Sequence, residues 1–162
     1  MWRAGADDPG RAVIFDVDGV ICNADGRQHL LDGPEGDWSA FFDACGSDTL
    51  VEETGRLMRV LDPTLTVVLL TGRPVRVRDI TVEWLAAHAL PWDLLVMRER
   101  GDYADSLEFK RQTVRRLRAM GFQLELAWED DPLNQGMFQE EGVPCIYLDS
   151  GYYRRRDGSP VG

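Results

Sequence analysis

Along the chain, short continuous apolar runs alternate with longer segments in which apolar residues return at helical spacing. The runs Ala12–Phe15, Thr66–Leu70, Leu94–Met97, Leu124–Trp128 and Cys145–Leu148 are bounded by turn-forming or charged residues. Strands covered on both faces carry this pattern. Between them, Thr49–Leu61 sets Leu50, Leu57 and Leu61 at helical spacing, and Arg76–Leu90 sets Ile80, Trp84 and Leu85 on one face. Lys110–Met120 is basic and amphipathic and stops at Gly121, and Pro132–Glu141 opens with proline and ends before Gly142. The alternation predicts an α/β fold: a Rossmann-like open parallel sheet of five strands with helices on both faces. Residues 11–152 form the expected single domain. The polar stretch 1–10 and the tail 153–162 are expected to lie outside it, disordered or frayed.

Composition narrows the class. At 162 residues the chain suffices for one hydrophobic core. Its formal charge of −10 excludes a protein that coats duplex nucleic acid through a broad basic surface, so a polyanionic partner must be met locally. Cys22, Cys45 and Cys145 form neither a CxxC pair nor a histidine-bearing cluster, which indicates no disulfide framework or zinc site and fits a reducing cytoplasm. No apolar run approaches the roughly 18 residues of a membrane span, and no signal peptide is seen.

The chemistry collects at the carboxyl ends of the predicted strands, where ligands of open α/β sheets bind. Asp16 and Asp18 in "VIFDVDGV" follow the first strand, Thr71 in "VVLLTGRP" the second, and Glu129, Asp130 and Asp131 in "WEDDP" the fourth. Lys110 opens the helix before that fourth strand. Acids at the end of a core strand are unfavourable unless paired or bound to a cation. Mg²⁺ suits such a site, as a hard ion that takes carboxylate and phosphate oxygens.

"DVDGV", "LLTGR", Lys110 and "WEDD" stand in the order and spacing of the four motifs of haloacid dehalogenase superfamily phosphatases, and the chain resembles that family from Val13 to Leu148. "NADGR", "RERGDYADSLEFK" and the closing "GVPCIYLDSGYY" further resemble the 3′-phosphatase domain of phage-type polynucleotide kinase/phosphatases. The resemblance implies Asp16 as nucleophile and Asp18 as general acid and base. It implies Mg²⁺ on Asp16, the Asp18 carbonyl and Asp130, with Glu129 close by. Thr71 and the Gly72 amide would bind phosphate oxygens, Lys110 would offset charge between phosphate and Asp16, and Arg27 and Arg73 would clamp the phosphate or its neighbour.

The chain departs from the family pattern in three places. Val20 replaces the usual threonine, Glu129 precedes the two aspartates of the last motif, and Asp105 lies five residues ahead of Lys110. Asp131 is left as an outer contact or a helix cap. "NADGR" also reads as a hairpin with an Asp25-Gly26 turn, and Arg111, Arg115, Arg116 and Arg118 read as a solvated helix face. His29 and His88 lack partners at useful spacing, and Trp38 lies in a segment that could border the site. The connections leave no room for a cap domain, and an open site suits a phosphate on a polymer end. The expected function is a Mg²⁺-dependent phosphomonoesterase acting on a nucleic-acid 3′ end, 2′,3′-cyclic phosphate included, beside a kinase or ligase partner. A small-molecule phosphatase or nucleotidase, and a non-catalytic domain that binds phosphorylated ends, are the alternatives.

Overall fold

A computed structural model describes residues 1–3, 9–32, 34, 36–101 and 104–153. The elements in chain order are β1 (Arg11–Phe15), β2 (Cys22–Asn23), α1 (Asp25–Gln28), α2 (Trp38–Asp43), β3 (Thr49–Leu50) and α3 (Glu52–Arg59). They continue with β4 (Thr66–Pro74), α4 (Arg78–Ala87), β5 (Leu94–Arg98), α5 (Ser106–Ala119), β6 (Gln123–Glu129), α6 (Pro132–Glu140) and β7 (Cys145–Tyr147). Five strands form one parallel sheet in the order β5-β4-β1-β6-β7, as the alternation predicts.

Burial follows the two-residue period of each strand. Val13 and Phe15 of β1, with Val67 and Leu69 of β4, face a core closed by Met58 of α3 and by Trp84 and Leu85 of α4. Ala12, Ile14, Val68 and Leu70 face the opposite core, closed by Phe109, Val114 and Leu117 of α5 and by Met137 and Phe138 of α6. Both faces of the sheet are therefore covered, which is why its strands are continuously apolar. Phe15 and Trp128, direct partners across β1 and β6, stack with ring centroids 4.2 Å apart.

Several boundaries differ from the sequence reading. Helix α5 starts a turn earlier than Lys110, because the Asp105 side chain accepts from the Glu108 N–H at 2.7 Å and caps it at that point. Lys110 thus lies inside the helix. Gly121, at φ +98°, closes α5 in a left-handed cap, with the Phe122 N–H returning to the Leu117 carbonyl at 3.1 Å. Thr49 and Leu50, expected in a helix, pair antiparallel with Cys22 and Asn23, so α3 begins at Glu52. Asp25-Gly26 makes no hairpin turn. A type I′ turn needs positive φ at both central residues, and neither has it. Asn23 Oδ1 instead accepts from the Asp25 N–H at 2.8 Å, and the chain enters α1.

At the amino terminus, Trp2 bridges antiparallel to Leu94 and the Met1 ammonium donates to the Leu95 carbonyl at 2.7 Å, so residues 1–3 lie along the edge strand β5. Of the expected terminal stretches, Gly10 accepts from the Gln123 N–H at 3.0 Å, and 4–8 and 154–162 fall outside the described residues.

The chain leaves β1 outward through β4 and β5, then returns to the other side of β1 for β6 and β7. β1 is thus the switch point of the sheet, and the loops after β1, β4 and β6 converge on one crevice.

Candidate active site

Asp16, Glu129 and Asp130 meet at that crevice, with one carboxylate oxygen from each within 4.8 Å of the others. Parallel pairing makes this so: Phe15 pairs with Trp128, and the next residue of each strand carries an acid. Lys110 reaches in from α5, donating to Asp16 Oδ1 at 2.9 Å and Glu129 Oε2 at 2.6 Å. The other oxygen of Glu129 accepts from the backbone N–H groups of Asp130 and Asp131, each at 3.2 Å. Asp131 caps α6 by accepting from the Leu133 N–H at 2.9 Å. The helix-cap alternative therefore describes it.

The electrostatics are unbalanced, with three buried carboxylates facing one ammonium. Burial raises Asp16 to about 7; Lys110 pulls against that, while Glu129 and Asp18 push the same way. Asp130 is raised further, to about 9, by burial, by Asp16 and by Glu129, which the Ser150 hydroxyl and Lys110 offset only in part. Burial by itself would lower Lys110, but Asp16 and Glu129 outweigh it and hold the ammonium charged.

Both carboxylate oxygens of Asp130 are buried without a hydrogen-bond partner at normal geometry. Gly19, at φ +84°, makes room for them: a Cβ at that position would stand 2.0 Å from Asp130 Oδ2. An all-oxygen donor set with an unpartnered acid fits a hard divalent cation. Asp16 and Asp130 would hold it, with Glu129 adjacent.

Asp18 belongs to a second cluster. Arg73 donates to Asp18 Oδ1 at 2.7 Å, to Asp48 Oδ2 at 3.1 Å and to Thr81 Oγ1 at 3.1 Å. Arg27 donates to Asp48 at 2.9 and 2.7 Å, to the Phe41 carbonyl at 3.2 Å and to Asp18. Burial would raise Asp18, but Arg73 and then Arg27 overcome it and hold the carboxyl well below the usual range. The two arginines, expected as a phosphate clamp, are buried and face inward, and neither is among the residues that border the crevice. Two aspartates at hydrogen-bonding distance take up the forks that a phosphate would otherwise receive. Asp48 carried no signal in the sequence, since its partners lie 21 and 25 residues away.

Thr71 is fully buried, and its hydroxyl accepts from the Arg73 N–H at 3.2 Å. Between Leu70 and Pro74 the β4–β5 register shifts: Leu70 pairs with Val96 and Pro74 with Arg98. The intervening Thr71-Gly72-Arg73 bulges out of the ladder and brings Gly72 to the crevice wall.

The crevice encloses about 630 Å³ over Asp16, Asp18, Gly72 and Lys110. Arg98, Ser106 and Asn134 also border it, as do the aromatic residues Trp38, Phe41, Phe42, Tyr152 and Tyr153. Tyr152 is tied down, its hydroxyl accepting from the Ala24 N–H at 2.7 Å and donating to Asn23 Oδ1 at 3.0 Å. Arg98 and the tyrosines stood in segments already singled out, but with no role. Ser106 lies in the same segment as Arg98 and likewise had no role, and Asn134, in the first turn of α6, gave no sign. Arg111, of the helix face read as solvated, pairs with Glu140 of α6 and with Glu141 just after it, and Arg115 pairs with Glu141. Among the described residues, no helix is long and apolar enough to cross a membrane.

This fold and this cluster define the chain as a haloacid dehalogenase-like α/β protein, and solved structures share the fold. A chain in the structure of the Pnkp1/Rnl/Hen1 RNA repair complex aligns at TM-score 0.70 and 23% identity over 91% of the present chain, which spans 45% of that chain's length. A haloacid dehalogenase superfamily hydrolase of subfamily IA from Geobacter sulfurreducens aligns at TM-score 0.56 and 13% identity, covering 85% of this chain and 88% of that one. The corresponding domain of effector protein Lem4 from Legionella pneumophila aligns at 0.53 and 14% identity, covering 90% and 91%. No curated protein matches the chain. Residues 10–153 match the phosphatase domain of polynucleotide kinase PNKP, and the chain belongs to that family of phosphatase domains.

Proposed function

We propose that the protein is a Mg²⁺-dependent phosphomonoesterase that removes the phosphate from a nucleic-acid 3′ end. The buried, unpartnered Asp130 carboxylate beside the Asp16–Lys110–Glu129 triad carries this reading. Asp16 attacks phosphorus in line, forming an aspartyl-phosphate as the bond from phosphorus to the sugar oxygen breaks. Asp18 protonates the leaving oxygen, then takes a proton from the water that attacks the acyl phosphate and regenerates Asp16. Its ionised state suits the second half-reaction. In the first, the entering phosphate adds negative charge beside Asp18 and opposes the two guanidiniums, so that Asp18 takes up from solvent or from the phosphate monoanion the proton that it then donates. Lys110 holds positive charge on Asp16 Oδ1, and the Gly72 amide, on the bulge after Leu70, would meet a phosphate oxygen. Bound at Asp16 and Asp130, Mg²⁺ supplies charge neutralisation of the acids and of the phosphoryl oxygens.

The family's description as the phosphatase domain of a polynucleotide kinase supports a kinase partner. The formal charge of −10 favours a second reading, a phosphatase of small metabolites. Phosphate release from a 3′-phosphorylated oligonucleotide with Mg²⁺ present, compared with release from 3′- and 5′-mononucleotides, separates the two. The oligonucleotide is the expected better substrate, and preference for a mononucleotide would overturn the nucleic-acid reading.

A further inference from the structure

The aromatic wall is the part of the crevice that the phosphate chemistry does not use. Trp38, Phe41 and Phe42 all come from α2, whose first turn is fixed by Asp37 accepting from the Ala40 N–H at 2.9 Å. Their rings touch in a triangle, with centroids 5.6 Å apart for Trp38–Phe41, 5.8 Å for Trp38–Phe42 and 5.5 Å for Phe41–Phe42. Phe41 is buried and held from behind, with the Arg27 guanidinium 4.0 Å from its ring centroid. The same Arg27 binds Asp18 and Asp48, which couples the position of the wall to that of the catalytic acid. Trp38 rests on both phenyl rings and is still 56% exposed at the crevice. An indole packed against two rings and still half open is unfavourable in water, and its exposed ring surface is offered to a planar ligand.

Other residues that border the crevice are polar and incompletely paired. Asn134 is 2% exposed, and its Oδ1 has no partner; Arg98 Nε is likewise buried without one. Polar and aromatic residues therefore border one crevice of about 630 Å³, far larger than a phosphate needs and in the range of small-molecule sites. A nucleoside has both kinds of surface, a π-face and a polar sugar edge.

We propose that Trp38, backed by Phe41 and Phe42, is the platform on which the base of the terminal nucleotide stacks while its phosphate lies at Asp16. This rests on the functional reading above and specifies how that site takes its substrate. Every base has a π-face, so the platform selects for the presence of a base rather than for its identity.

The test uses two oligonucleotides that end in a 3′-phosphate, one with an ordinary last nucleotide and one whose last sugar is abasic. Acetyl phosphate, which has no ring, reports on the catalytic centre. For the wild type, kcat/KM is expected to be about ten-fold lower on the abasic end, the scale of one base–aromatic stack. In Trp38→Ala the ordinary end should lose about the same ten-fold, so that the two ends become equivalent, and Trp38→Phe should recover most of the difference. The loss should appear mainly in KM. Equal turnover of both ends by the wild type, or a Trp38→Ala loss of the same size on both ends and on acetyl phosphate, would overturn the platform and leave the functional reading standing. Hydrolysis of acetyl phosphate with no release from any oligonucleotide would overturn both.

Discussion

Replacing Asp48 by asparagine tests whether the buried arginine–aspartate cluster holds the site together. Asp48 and Asp18 together balance Arg27 and Arg73, and three of these four side chains are at most 5% exposed. The substitution keeps size and removes one charge. Arg27 then loses two hydrogen bonds to a carboxylate, at 2.9 and 2.7 Å, and Arg73 loses one at 3.1 Å. Asp18 alone faces two guanidiniums in a site that water barely reaches. Breaking a buried ion pair from one side costs about 3–5 kcal/mol, set against a total stability of about 5–15 kcal/mol. For a chain of this size that corresponds to a fall in Tm of roughly 6–20 °C. Thermal unfolding followed by circular dichroism measures it. Removing Arg27 as well, in Asp48→Asn/Arg27→Gln, restores the charge balance, and the double variant should lose clearly less than the sum of the single changes. A Tm change below about 2 °C in Asp48→Asn, or strict additivity in the double variant, would show that solvent screens the cluster and that it does not organise the site.

Asp16→Asn should abolish phosphate release, by about 10⁴-fold or more, while the far-ultraviolet spectrum stays that of the wild type. Retained turnover would refute covalent catalysis by Asp16. In the absence of divalent cations, stability should fall as pH rises from about 4 toward 9, because Asp16 and Asp130 are raised to about 7 and about 9 and so the folded state binds more protons than the unfolded chain across that window. Mg²⁺ should raise Tm more at pH 8 than at pH 5, since its carboxylate ligands must be ionised. A Mg²⁺ effect independent of pH would argue against these acids as its ligands.

What could be read from the sequence divides along the range of the interactions. The central strands were legible because parallel strands buried on both faces must be continuously apolar, and the cores on either side of β1 confirm that reading. The acids at the ends of β1 and β6 were legible for the same reason: a charge that interrupts such a run has few explanations. What stayed hidden depends on the three-dimensional approach of segments whose local pattern is ordinary. Asp48 sits between a 3₁₀ turn and a two-residue strand, with no periodicity to mark it. The NADGR segment carries a good hairpin signal, yet Asn23 redirects it into a helix, and that helix turns Arg27 toward Asp48 and Phe41. The motif therefore indicated that an arginine was needed near Asp18 without showing its task. A guanidinium facing open solvent could bind phosphate. One locked between two carboxylates and packed over a phenyl ring fixes instead the charge of Asp18 and the position of the aromatic residues of α2. The distinction follows from burial, which is set by the fold around a residue and not by its sequence neighbours. It explains why the acids at the crevice could be named from the sequence whereas the arrangement of the residues that border them required the fold.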